Sequence, residues 1–251
     1  MSQDLRRTPK RSNGRDQWLL SAPKPCHTWF HAIEFPIRNN MYKLLSATPS
    51  PYARKVRIQL AEKGLAFELI SEVPWNTDTQ TPLYNPLEKL PVLLCPDGSS
   101  VFESRYINEW LELKHPEPAL MPKDVDGMLA VKRFEVIVDG ACDALVLMFF
   151  EIARDADKQS QPWFERQQRK VDGALRYLSE AIGSNEFCHA HTFTLADIAV
   201  GTLLRYLTVR WAAKPWREQY PGLAQYSDRL EMRPSFKNSV PVPQVIRDRV
   251  A

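Results

Sequence analysis

A small α/β domain followed by an all-helical domain is the architecture this sequence of 251 residues predicts. Three observations carry the prediction. Short β-favouring runs alternate with helical stripes as far as residue 115. The stretch His115-Pro116-Glu117-Pro118 then breaks the chain. From about Val125 onward the apolar spacing is helical only. The expected boundaries are a basic, flexible extension at 1–40, an α/β domain at 41–115, a helical bundle at 122–240 and a tail at 241–251.

Composition narrows the function classes. Apolar residues are 44% and charged residues 25%, the balance of a globular protein with a sizeable core. No apolar run approaches the roughly 20 residues of a membrane helix, so no membrane partner is expected. Residues 1–40 carry seven Lys or Arg against three Asp or Glu, so the remainder of the chain holds a net charge of −1. A body that close to neutral argues against a nucleic-acid partner. The four cysteines, Cys26, Cys95, Cys142 and Cys188, have no metal-ligand or Cys-x-x-Cys spacing. A reducing compartment, no disulfide framework and no metal follow. Gly-x-Gly-x-x-Gly and Gly-x4-Gly-Lys-Ser/Thr are both absent, which removes the common glycine-rich nucleotide loops. The Arg-rich leader at 1–40 suits organelle targeting in composition, but Asp4, Asp16 and several prolines interrupt any amphipathic helix. A flexible tail, or a start placed upstream of Met41, is the simpler expectation, with a cytoplasmic location.

Element by element, Met41–Ala47 is β-favouring and Thr48-Pro49-Ser50-Pro51 is a turn, with Pro51 suited to the first position of a helix. Val56, Ile58 and Leu60 mark that helix, and Lys63-Gly64 stops it. Ala66–Ser71 is the next strand, and Val73–Tyr84 is polar and irregular, with one helical turn at most. Leu90–Cys95 and Ser100–Phe102 form a hairpin around Pro96-Asp97-Gly98-Ser99. Tyr106, Ile107, Trp110 and Leu111 then share a helical face. Further on, Phe164, Val171, Leu175, Leu178 and Ile182 form one amphipathic stripe, Leu195–Tyr206 is apolar nearly all round, and Leu223–Met232 is a last helix.

Three places are candidates for chemistry. Ser50, before a helix, puts a hydroxyl beside unpaired backbone N–H groups at the positive end of a helix dipole. A thiolate held there would be stabilised; an ordinary N-cap would need the same residue. Leu90-Pro91, at the start of a strand, is a candidate cis peptide whose neighbouring backbone would be open to an extended peptide. An edge-strand trans proline reads the same in sequence. Glu103-Ser104 opens a helix after the hairpin, a second anion seat with a carboxylate suited to an ammonium, or again a cap.

Taken in this order, these elements resemble the glutathione S-transferase family. Ser50-Pro51-Tyr52-Ala53 follows the first strand. Asn85-Pro86-Leu87-Glu88-Lys89-Leu90-Pro91-Val92-Leu93 is similar to the family's Asn-Pro-x-Gly-Lys-Val-Pro-x-Leu stretch, with Glu88 in place of glycine. Phe102-Glu103-Ser104-x-x-Ile107 resembles its Glu/Gln-Ser-x-x-Ile segment. In the helical half, Phe193-Thr194-Leu195-Ala196-Asp197-Ile198 is similar to its fold signature. That last motif also reads as a capping box: Thr194 caps, Asp197 reaches back, and Phe193 and Ile198 flank it. The resemblance spans about residues 41–238 and implies a thioredoxin-like N-terminal domain.

It further implies that glutathione is the co-substrate. Leu90 would pair with the cysteinyl residue beside cis-Pro91, Glu103 and Ser104 would hold the γ-glutamyl ammonium and carboxylate, and Lys89 would face the glycyl carboxylate. Ser50 would stabilise the glutathione thiolate, which attacks a small hydrophobic electrophile between the domains, against the helix containing Leu145–Phe150. Tyr52 is a rival for that role, although its place in the motif suggests packing; Tyr42 points away. Ala53, where a dithiol enzyme has its second cysteine, argues against thiol exchange. A homodimer is implied, with the N-terminal half of one chain against the helical half of the other, and so is a detoxifying role. Two alternatives stay open: a non-catalytic binding or regulatory protein on the same fold, and a glutathione-dependent peroxidase, isomerase or dehalogenase.

Overall fold

A computed structural model describes residues 41–248. The basic leader at 1–40 and residues 249–251 lie outside the described residues. The N-terminal half runs β1 (Tyr42–Ser46), α1 (Pro51–Glu62), β2 (Phe67–Ser71), β3 (Val92–Leu94), β4 (Ser100–Phe102) and α2 (Ser104–Lys114). The sheet order is β2-β1-β3-β4, with β1 parallel to β2 and the other two pairings antiparallel. A single 3₁₀ turn, Thr81–Leu83, interrupts the irregular stretch before β3. The helical half contains α3 (Val125–Ala153), α4 (Gln161–Ile182), α5 (Leu195–Arg210), α6 (Trp216–Gln219), α7 (Pro221–Glu231) and α8 (Pro234–Lys237).

Helix α1 lies between two cores. Val56 and Leu60, four residues apart, pack on the sheet with Leu44, Leu93, Ile107 and Leu111. Ile58 points the other way, into the helical core with Leu145, Ile198 and Leu204. The sequence reading put all three on one stripe; at 100° per residue Ile58 must leave it. Gly64, at φ +65°, ends the helix as expected of a residue without Cβ, and Leu65 N–H returns to Leu60 O at 2.9 Å.

The Asn85–Lys89 loop is tied by one buried side chain. Asn85 Nδ2 donates to Lys89 O at 2.7 Å, and Asn85 Oδ1 accepts from Leu87 N at 2.9 Å. This geometry puts Glu88 at φ +54°. The left-handed region suits glycine, which explains the glycine of the family pattern there.

The motif at 193–198 is a buried node in the helical half. Asp197 Oδ2 accepts from Thr194 N at 2.7 Å and from Thr194 Oγ1 at 3.0 Å. Its Oδ1 accepts from Cys188 N at 2.7 Å and from the Tyr226 hydroxyl at 2.6 Å. One carboxylate thus fixes the start of α5, the 188–192 turn and α7. Replacing Asp197 with Ala strands four donors, two of them backbone amides, and we expect a loss of about 3 kcal/mol or more in urea unfolding. At the other extreme, Glu88→Gly relieves a left-handed glutamate and is expected to add about 1 kcal/mol, visible as a Tm higher by roughly 2–4 °C. An unchanged Tm would mean that the Glu88 side chain makes up for its backbone.

Candidate functional site

Strand register brings the three candidate segments to one end of the sheet. Val92 pairs with Leu45 of β1 on one side and with Phe102 of β4 on the other. The residues leaving β1 towards Ser50, those entering β3 from Leu90-Pro91, and those leaving β4 into Glu103-Ser104 therefore emerge together. This follows from antiparallel pairing: the end of β1 and the end of β4 both flank the start of β3.

Ser50 sits at the N-cap of α1, half-buried, with φ −68° and ψ 124°. Its Oγ accepts from Ala53 N at 3.2 Å, and Arg54 N reaches Ser50 O at 3.1 Å. Pro51 has no N–H, so the Tyr52 amide is left as the unpaired donor of that turn. The cap bond uses a lone pair of the hydroxyl, and the hydroxyl proton remains available to a further acceptor.

The Leu90-Pro91 peptide is cis, with Pro91 buried and Leu90 half-buried. The ladder begins at Val92, so the Leu90 N–H and C=O lie outside it. Glu103 is exposed and caps α2 at φ +72°, accepting from Arg105 N at 3.2 Å. A non-glycine residue held in that region is backbone strain of the kind that gathers at binding sites. Ser104 is buried beside it, its Oγ donating to Glu103 Oε1 at 3.3 Å. Lys89 is exposed, and its side chain makes no ion pair among the described residues.

Two helix N-termini are pinned to α3 by one carboxylate. Lys55, in the first turns of α1, donates to Asp139 Oδ1, and Arg105, at the start of α2, holds Oδ2 at 3.0 Å. Glu135 is buried next to this group with both carboxylate oxygens unpartnered, and burial pushes its carboxyl up from the ordinary range. Neither Asp139 nor Glu135 was visible as part of the arrangement in sequence. Their i, i+4 spacing puts both on one face of α3, but nothing in the sequence names their partners.

Tyr52 donates its hydroxyl to Asp143 on α3 and packs against the helical core. Burial first, and the neighbouring Cys142 and Asp143 next, push the phenol far above its usual range. Its proton is committed, so it plays the packing part that the motif suggested. Tyr42 bonds His115 Nε2 at 2.8 Å at the start of β1, the opposite end from Ser50. Sequence reasoning missed Trp75, whose ring meets Phe150 of α3 edge-on at 4.4 Å between centroids. It also read 241–251 simply as a tail. Residues 241–248 instead run along the N-terminal half: Thr48 Oγ1 donates to Val242 O at 2.8 Å, Gln244 Nε2 to Ser71 Oγ at 3.0 Å, and Arg247 N to Asn76 Oδ1 at 2.9 Å. Among the described residues no cluster of side chains could hold a metal ion, and no helix is long and apolar enough to cross a membrane.

Comparison with known proteins agrees with this layout. The family model for the glutathione S-transferase N-terminal domain matches residues 49–114, and that for the C-terminal domain matches 161–229. A GST-like protein of Escherichia coli K12, YibF, is 36% identical over 199 residues, 79% of this chain and 98% of its own. A glutathione S-transferase from Methylobacterium radiotolerans, solved in complex with glutathione sulfonate, is 58% identical with a TM-score of 0.83, covering 84% of this chain and all of the other. A glutathione S-transferase from Methylobacillus flagellatus, solved with glutathione bound, is 39% identical with a TM-score of 0.77, covering 80% of this chain and all of the other. With both halves matched in order and the motif residues gathered at one end of the sheet, the chain belongs to the glutathione S-transferase family.

Proposed function

We propose that this protein is a serine-type glutathione S-transferase that binds reduced glutathione and conjugates it to a small hydrophobic electrophile. The observation that carries the reading is the convergence of Ser50, Leu90-Pro91 and Glu103-Ser104 at one end of the sheet, in a chain 58% identical to a transferase solved with glutathione sulfonate. Residues 41–115 form the glutathione-binding unit in this reading, and 122–240 the helical unit that closes the electrophile's side.

Each role follows from the chemistry available at its position. The extended cysteinyl residue pairs with the free Leu90 backbone beside Pro91. Its γ-glutamyl carboxylate sits on Ser104 at the N-terminus of α2, and its ammonium faces Glu103. Lys89 takes the glycyl carboxylate. These contacts direct the thiol at Ser50, where the hydroxyl proton, the Tyr52 amide and the helix dipole all favour the thiolate. Ser50 donates a hydrogen bond and attacks nothing; the sulfur is the nucleophile. The electrophile enters between the N-terminal half and the face of α3 that carries Asp143 and Phe150. A cytoplasmic, detoxifying enzyme is the setting this chemistry fits.

A homodimer belongs to the same reading. Tyr106 and Leu113 on α2, with Leu129, Val136 and Leu147 on α3, are large apolar residues left exposed. On α3 these lie seven and eleven residues apart, one stripe at 100° per residue. Light scattering should give about twice the chain mass of 29.0 kDa, and Val136→Arg should return it to a single chain mass.

The catalytic reading is tested by the ultraviolet absorbance of the glutathione thiolate, followed across pH in wild type and Ser50→Ala. Wild type should ionise bound glutathione near neutral pH. Ser50→Ala should raise that midpoint by about one unit or more and cut kcat/KM roughly 100- to 1000-fold, in the range of losing one preorganised hydrogen-bond donor. If glutathione binds both proteins and titrates as it does in solution, Ser50 is a cap alone and the binding-protein alternative holds. A peroxidase, isomerase or dehalogenase would retain the low thiol midpoint and differ only in the substrate turned over.

A further inference from the structure

We infer, on the transferase reading above, that the electrophile carries a carboxylate and that Arg210, at the end of α5, binds it. Antiparallel packing brings the end of α5 level with Ser50. Arg233 binds Glu62 at the end of α1 at 2.7 Å and stacks on Phe193, just before α5, at 3.9 Å. Further along the pair, the charge of Arg205 on α5 acts on Arg54 of α1. Ser50 lies one turn before Arg54 and Arg210 just over one turn after Arg205, so both stand at the same end of the two helices. Helix α3 also runs against α1, because Lys55 meets Asp139 and Tyr52 meets Asp143. Its last turns, with Phe149 and Phe150, therefore extend past the start of α1.

A row of rings connects Arg210 to the sheet. The Arg210 guanidinium lies over the Phe149 ring at 4.6 Å, Phe149 meets Phe150 edge-on at 5.2 Å, and Phe150 meets Trp75 at 4.4 Å. Trp75 follows β2, whose last residue, Ser71, pairs with Ser46, so it too is at the Ser50 end. The row offers the electrophile an apolar wall, and the wall ends on a cation.

Arg210 is half-buried and takes part in no ion pair among the described residues. Stacking on Phe149 uses a face of the guanidinium, and the Tyr206 hydroxyl accepts from it. The remaining N–H donors lie in a plane whose fork matches a carboxylate. Partial burial makes such a pair stronger than it would be in water. Asp143, held by the Tyr52 hydroxyl on the α1 side of α3, repels the same carboxylate. Asp143 and Phe149 are six residues apart, which sets them about 120° apart around the helix axis. An acidic electrophile is thereby turned with its charge towards α5 and its reactive carbon towards Ser50.

The probes are two conjugates of matched chain length, S-(5-carboxypentyl)glutathione and S-hexylglutathione, titrated by calorimetry against the full chain beside glutathione itself. Wild type, Arg210→Met and Arg210→Lys are compared. Arg210→Met should weaken the acidic conjugate roughly 10- to 100-fold, the range for a hydrogen bond to a charged group, and shift S-hexylglutathione and glutathione by less than about twofold. Arg210→Lys keeps the charge without the fork and should recover part of the loss. An unchanged affinity for the acidic conjugate in Arg210→Met, or an equal loss for both conjugates, would overturn the assignment of Arg210 and leave the transferase reading standing. If neither glutathione nor either conjugate binds wild type, the transferase reading fails and the assignment falls with it.

Discussion

The site depends on a helix that buries its charges. Arg54, Lys55 and Gln59 of α1 and Lys63 at its C-cap are all buried, and each finds partners outside that helix. Arg54 holds Glu231 at 2.9 Å together with the Phe236 and Ser239 carbonyls; Lys55 holds Asp139; Gln59 reaches Asn108 O at 3.0 Å; Lys63 reaches His115 O at 2.7 Å and Pro118 O at 2.9 Å. Burying such groups is costly, and a buried ion pair adds little net stability over an apolar one. What it adds is direction. An apolar α1 could slide or roll between the sheet and the helical core, whereas one bonded to α2, α3, α7 and the 236–239 segment has one register. That register sets the position of Ser50.

Capping and thiolate stabilisation are often treated as competing explanations for a serine at a helix start. At Ser50 the two would use different parts of one hydroxyl. The Ala53 amide takes a lone pair of Ser50 Oγ, which orients the oxygen and leaves its proton directed elsewhere. A cap of this kind is a preorganised donor, since the side chain loses no further freedom when a sulfur arrives. The proposed second anion seat, at Ser104, is placed by an ion-pair bridge through α3. Asp139 binds Lys55 and Arg105 together, so the two helix ends are positioned against each other through α3. In the proposed function glutathione spans both helix starts, and the sheet register supplies the Leu90 backbone between them.

Local motifs made the fold and the candidate residues legible. Ser50-Pro51, Leu90-Pro91 and Glu103-Ser104 each combine turn chemistry with a strand or helix boundary, and the spacing of apolar residues placed those boundaries to within a few positions. The capping box at Thr194 and Asp197 read correctly because all its partners but two lie within four residues. Burial of charge was illegible. Arg54, Lys55 and Lys63 look like a solvated face, because hydropathy cannot anticipate Glu231, Asp139 or the carbonyl at Pro118 far along the chain. The same holds for Trp75 and for residues 241–248. Their partners, Phe150 in one case and Thr48, Ser71 and Asn76 in the other, are set by tertiary packing.

Helix α3 makes different kinds of contact around its circumference. Twenty-nine residues long, it is the longest helix described, and it is apolar over much of its circumference. One side carries Asp139 and Asp143 to α1, one carries Leu145 and Met148 into the helical core, and Leu129, Val136 and Leu147 are left exposed. The first side is tied by charge to the starts of α1 and α2, so substitutions there would disturb two helix N-termini at once. The core-facing side is held by apolar packing, which tolerates changes of shape at constant volume. Directional bonds thus sit on the face that places the starts of α1 and α2, and apolar packing on the face that fills the helical core.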